Sequence, residues 1–297
     1  MDLHLHTNRS DGACSPSDVM RLAFGSGLRL CSVTDHDTTD GIDESRSAAD
    51  ALGIAFIPGI EISTQAEHEQ HILGYFIDRD DPEMKKMCER LMALRNERID
   101  RTLAFLNCQG VRLTREEVAA QAPGPYLGRP HIAAAMVRAG YVPATRDAFQ
   151  RYLASEAYFK TPRPKPGAEE AIMAIRAAGG AAVLAHPDSL RMDGRALDRH
   201  IASLRAMGLA GIECYYGTYD ASARAGYLRL AEKHDLVVTG GSDFHGEAVK
   251  PGIRIGTGKD GLLDFDDLGV CERLKAVAGR DRAFILKILK SDISRFA

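Results

Sequence analysis

The sequence predicts an α/β fold, a small or distorted (β/α) barrel with a helical insertion. Two observations carry that expectation. Short β-rich runs alternate with amphipathic helical stretches along most of the 297 residues. Seven such runs can be counted, and no GxGxxG follows the first, so a closed barrel suits the pattern better than a flat doubly wound sheet. The expected strands are Leu3–Thr7, Leu30–Thr34, Ala55–Ser63, His71–Ile77, Ala181–Ala185, Gly211–Tyr215 and Val237–Thr239, read as a parallel α/β arrangement. Helices are expected over Pro16–Phe24, Asp40–Leu52 and Ala168–Ala178. The longest should run from Pro82 to Leu106, with Met84, Met87, Leu91, Leu94 and Leu103 on its apolar face and Gly110 beyond its end.

One stretch breaks the alternation. From about Asn107 to Pro166 the pattern is helical throughout and punctuated by Pro and Gly. Thr114 with Glu117 has the spacing of a capping box, Pro130 suits the start of a helix that Gly140 closes, and Thr145 can cap another. Thr161–Pro166 reads as the linker back. The expected division is a barrel of residues 1–106 and 161–297, with residues 107–160 as a helical insertion capping the active site.

Composition narrows the function classes. An apolar fraction of 45% and a charged fraction of 27% are those of a soluble globular protein. No apolar run is long enough to span a bilayer, and MDLHLHT lacks a basic region followed by an apolar stretch, so neither a membrane partner nor a signal peptide is expected. The six cysteines (Cys14, Cys31, Cys88, Cys108, Cys214 and Cys271) show no CxxC pair and no framework spacing. Reduced thiols and a cytoplasmic location are the expectation. A net charge of −3 argues against a broad nucleic-acid-binding surface while allowing a local basic pocket.

The histidines are more informative. His4 and His6, two apart on a strand, point to one face, where two imidazoles can chelate a cation and Asp2 can support them. Asp11 lies in the turn Asn8–Gly12, where an aspartate alone is commonly a turn residue. Thr34-Asp35-His36-Asp37 ends the second strand with a polar cluster that has little packing use. Glu61 stands inside an apolar strand, where a buried carboxylate is costly unless a cation compensates it, so it is the candidate to bridge two metals. His71 opens the next strand, His186 ends another, and Asp243 and His245 share a face after the last. His68, His200 and His234 receive no role. Six histidines, two aspartates and one glutamate at strand ends suit Mn²⁺, Zn²⁺ or Fe²⁺ better than Ca²⁺ or Mg²⁺ alone, and the absence of Cys ligands argues against a structural zinc site.

In order along the chain, His4-Leu5-His6-Thr7 with Ser10-Asp11-Gly12, Thr34-Asp35-His36-Asp37, Gly59-Ile60-Glu61, His71, His186-Pro187 and Ser242-Asp243-Phe244-His245 resemble the motifs of the PHP (polymerase and histidinol phosphatase) family. The resemblance implies a distorted (β/α)₇ barrel holding two or three divalent metals. It also implies a ligand partition: His4, His6, Glu61 and Asp243 for one metal, Glu61, His71 and His186 for a second, and Asp11, His36 and His245 for a third. Gly128-Arg129-Pro130-His131 further resembles a subgroup that includes nucleoside 3′,5′-bisphosphate phosphatases and a 5′→3′ exonuclease of short RNAs. Arg129 and His131 flank a helix start, where free N–H groups and a guanidinium favour phosphate, so both are candidate substrate-binding residues. Lys160, Arg163 and Lys165 read as solvated linker charges.

The expected activity is metal-dependent hydrolysis of a phosphate monoester, most specifically the 3′-phosphate of a nucleoside 3′,5′-bisphosphate, with short 5′-phosphorylated RNA as a further substrate. Clustered cations, Mn²⁺ foremost, would hold the attacking hydroxide between them and neutralise developing charge. Asp243 and His245 are the expected proton handlers, with His186 a weaker candidate for protonating the leaving oxygen. Three alternatives compete: a histidinol-phosphate phosphatase, a metal-dependent amidohydrolase or lactonase, and a metal-stabilised scaffold without activity. The complete ligand set speaks against the last.

Overall fold

The computed structural model describes residues 1–278 apart from 123, 125, 162 and 163; residues 279–297, part of the expected barrel, and Pro162 and Arg163 of the expected linker lie outside the described residues. All seven expected strands form: β1 (Asp2–Leu5), β2 (Leu30–Val33), β3 (Ala55–Thr64), β4 (Gln70–Tyr75), β5 (Ala181–Leu184), β6 (Gly211–Tyr216) and β7 (Val237–Gly241), in that order across one sheet. Asp243 N donates to His4 O and His6 N to Phe244 O, both at 2.9 Å, so the segment after β7 returns to β1 and nearly closes the barrel. Gly241 permits this approach, because a Cβ there would overlap the backbone of His4. A small hairpin, β8 (Ile253–Arg254) with β9 (Gly258–Lys259), follows.

The sheet is not wholly parallel, which corrects the parallel expectation. β4 runs antiparallel to both β3 and β5. The reason is the connection: only residues 65–69 separate β3 from β4, enough for a hairpin but too few for a parallel crossover. This reversal has a functional consequence. It places His71, near the start of β4, at the same mouth as residues that end the parallel strands, with His71 opposite Ser63.

The helices are α1 (Pro16–Gly25), α2 (Ile42–Leu52), α3 (Pro82–Cys108), α4 (Arg115–Ala119), α5 (Arg129–Arg138), α6 (Thr145–Ala148), α7 (Glu156–Phe159), α8 (Ala168–Ala177), α9 (Gly194–Met207), α10 (Ala221–Lys233) and α11 (Val270–Val277). α3 begins as its sequence dictates: Pro82 opens it and the Asp81 carboxylate accepts from Glu83 N and Met84 N. The capping box of Thr114 and Glu117 is present at α4. Thr145 does not cap α6; it is the first helical residue, and Ala144 precedes it with no side-chain bond to offer.

Strand alternation sorts the core. Outward-facing Ile60, Ile62, Ile72, Leu184 and Ile212 pack with Met20 of α1 and Ile172 and Ile175 of α8. Inward-facing Ile57, Leu73, Tyr75 and Val183 fill the barrel floor with Phe265. On the same inward faces, towards the mouth, stand Glu61, His71 and Glu213. A third apolar cluster joins Ile99 and Leu106 of α3 to Val118, Ile132, Met136 and Leu153, so the first half of α3 packs on the barrel and its second half on the helices that follow. Among the described residues, no helix is long and apolar enough to cross a membrane, and all six cysteines are free thiols.

Candidate metal centre

The nine expected donors converge at the barrel mouth. Glu61, wholly buried, is the hub. Its Oε2 lies 3.1 Å from each of His4 Nε2, His6 Nε2 and His36 Nδ1. Its Oε1 lies 2.8 Å from His71 Nδ1 and 2.9 Å from His186 Nε2. Asp243 Oδ1 stands 3.3 Å from His6 Nε2 and 3.2 Å from His245 Nδ1, while His245 Nε2 stands 3.3 Å from Asp11 Oδ1. Two of these side chains stand on unusual backbone: His186 has φ 22°, and Asp243 has φ 55°. Non-glycine residues in this region are strained, and such strain collects at functional sites.

The donor set fits divalent cations. His6 Nδ1, Asp11 Oδ1, His36 Nδ1 and Glu61 Oε2 are buried without hydrogen-bond partners. An unsatisfied buried polar atom costs about 1–3 kcal/mol, a penalty that a cation among these atoms would remove. Donor atoms gather within 4.8 Å in overlapping groups: His6, Asp11, His36 and His245; His4, His6 and Glu61; His4, His186 and Asp243; and His36, Glu61 and His71. The implied partition is therefore not kept distinct, since His6 also joins the Asp11 group and His186 also meets His4 and Asp243.

Electrostatics divides the histidines. Burial opposes charge on His4, but Glu213, Glu61 and Asp243 outweigh it and raise its pKa well above the ordinary value. His6 rises to about 9 against the same burial, through Asp243 and Glu61. At His36 burial wins and the pKa falls to about 3. Glu61 and Asp11 are held well below the carboxylate range: burial opposes this, but the surrounding histidines outweigh it, His36 most of all. Cations entering the cluster would thus displace protons from His4 and His6.

Several supporting residues escaped sequence reasoning. Glu213, wholly buried on β6, accepts from His4 Nδ1 at 2.9 Å and from His186 N at 2.8 Å, which leaves His4 Nε2 turned to the cluster. Its signal, an acidic residue in an apolar strand, is the same one that marked Glu61. Asp2 does not take this role; it accepts from the backbone N–H of His4, Ser242 and Gly256 and ties the loops together. Ser189 Oγ lies 3.0 Å from His186 Nδ1. Tyr216 donates to Asp243 Oδ2 at 2.6 Å, and Lys250 donates to the same oxygen. Asp35, between Thr7 and Ser10, fixes the first loop rather than facing the donors. His200 and His234 pair with Gln70 and Asp198, as side chains without a role here.

The cluster opens into a cleft of about 460 Å³ whose lining also includes Arg95, Arg98, Arg129 and Lys165. Lys165 is therefore a cleft residue and not a solvated linker charge, whereas Lys160 is exposed and pairs with Glu156. Arg129 donates to Glu69 in the β3–β4 loop. His131 turns away from the expected phosphate contact: its Nδ1 accepts from Gly128 N at 3.0 Å, capping its own helix, and it is not among the cleft-lining residues.

Residues 2–155 match the PHP domain. The chain belongs to the PHP family. It is 34% identical over 245 residues to a Haemophilus influenzae protein named 5'-3' exoribonuclease, spanning 82% of this chain and 89% of that one. Over 247 residues it is 32% identical to a Chromobacterium violaceum protein named 3',5'-nucleoside bisphosphate phosphatase, spanning 82% and 87%. A solved structure from Bifidobacterium adolescentis, described as a metal-dependent phosphoesterase, matches with a TM-score of 0.81 at 31% identity, over 95% of this chain and 97% of that one. This PHP protein is a metal-dependent phosphoric ester hydrolase on the expected barrel.

Beside the donors, Asp37 accepts from Arg95 and Arg98 and lies wholly within the protein. Burial raises its pKa, but the two guanidiniums outweigh that and hold it at about 2, below the ordinary 3.8. A depressed folded pKa stabilises above the unfolded value and is lost as pH falls through the folded one. The wild-type protein should therefore lose about 2 kcal/mol from this group between about pH 4 and pH 2. Urea unfolding of wild type and Asp37→Asn across that window checks it: the variant should show the shallower acid loss, and equal slopes would sink the assignment.

Proposed function

We propose that this enzyme removes the 3′-phosphate of nucleoside 3′,5′-bisphosphates. The observation that supports the reading most directly is the pairing of a donor cluster with a wall of guanidiniums inside one cleft. A substrate with one phosphate at the cluster can place a second against that wall. The name of the Chromobacterium violaceum relative points the same way. Residues 107–160 supply Tyr126, Arg129, Ile132, Phe149 and Tyr158 to the cleft, in keeping with an insertion that closes over the nucleotide.

His4, His6, Asp11, His36, Glu61, His71, His186, Asp243 and His245 would hold two or three divalent ions, with Mn²⁺ first in preference on the mixed donor set. Such ions supply Lewis acidity and lower the pKa of water at the site towards neutrality. The protein's own part is orientation. Tyr216 and Lys250 fix Asp243 Oδ2, so Oδ1 points into the cluster, placed to accept a hydrogen bond from the attacking water. Both ring nitrogens of His186 are engaged, by Ser189 and Glu61, which suits it to holding rather than to proton donation. His245 Nδ1 faces Asp243 O at 3.0 Å, so its Nε2 also serves the cluster.

A second reading is 5′-end trimming of short RNA. Phe149, half-buried, lines the cleft beside Arg129, and an aromatic face next to a cation suits a stacked base. One experiment separates the readings. Metal-reconstituted protein is incubated with adenosine 3′,5′-bisphosphate, a 5′-phosphorylated short RNA and histidinol phosphate, and products are identified. The proposal expects adenosine 5′-phosphate and orthophosphate as the fastest-formed products. Shortened RNA with intact bisphosphate would replace it by the exonuclease reading, and faster histidinol release would replace both.

A further inference from the structure

We propose that Asp188 receives the ribose 2′-hydroxyl of the substrate and that Tyr219 positions it for this. The inference rests on the bisphosphate reading above and deepens it, adding a preference for ribonucleotides over 2′-deoxyribonucleotides.

Among the described residues, five carboxylates line the cleft: Asp11, Glu61, Glu69, Asp188 and Asp243. Four are accounted for. Asp11, Glu61 and Asp243 belong to the donor groups, and Glu69 pairs with Arg129. Asp188 does neither. It joins none of the donor groups, and among the described residues no cation stands within ion-pair distance of it. A cleft that also holds Arg95, Arg98, Arg129, Lys165 and Lys250 thus keeps one carboxylate without a charged partner. Like charge would repel a phosphate from that carboxylate, so the group it suits is a hydroxyl or amino donor.

Asp188 is exposed, yet it is held as firmly as a buried group. Tyr219 donates its hydroxyl to Asp188 Oδ1 at 2.6 Å and accepts from Asp188 N at 3.2 Å. The phenol is itself fixed: Tyr219 is 5% exposed, with the Tyr216 and Tyr227 rings 5.0 Å and 4.9 Å from its own. Burial, and then Asp188, raise the pKa of this phenol, so it remains a donor. The backbone is equally constrained. Asp188 lies in the 3₁₀ turn Pro187–Leu190, between His186 and Arg191, both at positive φ. Ser189 N donates to His186 O at 3.0 Å and Arg191 N to Asp188 O at 2.9 Å. With Oδ1 engaged, Oδ2 meets no donor among the described residues. The result is a preorganised acceptor with one oxygen to offer.

Position decides which donor it receives. His186 stands in the donor cluster, and Asp188 is two residues on, at most about 7 Å along the chain. In a nucleoside 3′,5′-bisphosphate with its 3′-phosphate at the cluster, the 2′-hydroxyl sits on the neighbouring ring carbon. It is the sugar's one free hydroxyl. Amino groups of the base lie farther off, beyond the glycosidic bond. The 2′-hydroxyl is therefore the donor that must lie beside the cluster, and it is the group that separates ribose from deoxyribose.

The test compares kcat/KM for adenosine 3′,5′-bisphosphate and 2′-deoxyadenosine 3′,5′-bisphosphate in wild type, Asp188→Ala, Asp188→Asn and Tyr219→Phe. Calorimetric binding of adenosine 5′-monophosphate and of its 2′-deoxy form supplies a readout apart from turnover. Wild type should prefer the ribonucleotide by roughly tenfold to a hundredfold, the range for a hydrogen bond to a charged group. Asp188→Ala should bring the ratio near one, through loss on the ribonucleotide, and the two binding affinities should converge in parallel. Asp188→Asn keeps an acceptor without the charge and should fall between, which preserves the test if the alanine variant does not fold. Tyr219→Phe should lower the ratio with Asp188 still present, because Oδ1 loses its anchor. Equal use of both bisphosphates by wild type would overturn the assignment and leave the bisphosphate reading standing. Equal losses on both in the Asp188 variants, with the ratio preserved, would also overturn it. Hydrolysis of neither bisphosphate by wild type would overturn that reading and the assignment with it.

Discussion

Glu61→Gln is expected to abolish turnover, by on the order of a thousandfold or more in kcat, and to lower the metal content of the purified protein. The two oxygens of Glu61 face five imidazoles: His4, His6 and His36 on one side, His71 and His186 on the other. Glutamine keeps the shape but replaces one oxygen by an amide that donates, so one half of the cluster meets a repelling group. The carboxylate charge is also lost at a position with no exposure to water. Metal analysis beside steady-state kinetics is the check. Full stoichiometry with wild-type kcat would show that Glu61 does not bridge. Because the glutamine also leaves His4 and His6 short of a counter-charge, far-UV circular dichroism should accompany the assay.

Asp243→Asn should cost nearly as much, again several orders of magnitude in kcat, while leaving the barrel folded. Here the reason lies in orientation. Tyr216 and Lys250 hold Oδ2, so the asparagine carbonyl will take that place and aim its NH₂ at His4, His6 and His245. A donor then stands where an acceptor is needed. Asp243 is 5% exposed, and His4, 3.7 Å from its Oδ1, is wholly buried, so the misplaced donor cannot be relieved by water. Retained secondary structure with lost metal and lost activity is the expected result. Near-normal activity would remove Asp243 from the cluster.

The donors were legible because few side chains bind cations and because strand geometry puts alternate residues on one face. His4 with His6, and Asp243 with His245, needed only that spacing. Glu61 was legible from its apolar surroundings. Glu213 offered the same signal and was passed over, although it holds His4 in register for the cluster. The antiparallel course of β4 was also within reach, since five residues cannot make a crossover. Arg95 and Arg98 were not: along α3 they continue the buried stripe of Met84, Met87 and Leu91, and an arginine at such a position reads as the edge of a solvated face.

By itself, then, the sequence determined the element order, the barrel class and the identity of the nine candidate ligands, because each rests on local periodicity or on the chemistry of a single residue type. Tertiary structure alone decided which donors share an oxygen of Glu61, that Glu213 and not Asp2 backs His4, that His131 caps a helix while Lys165 enters the cleft, and that two guanidiniums share one carboxylate. Those pairings join residues as far apart as His4 and Glu213, or Asp37 and Arg98. They follow from how the barrel closes and how α3 packs beside it with Arg95 and Arg98 at the cleft, and such long-range geometry leaves no periodic trace in the chain.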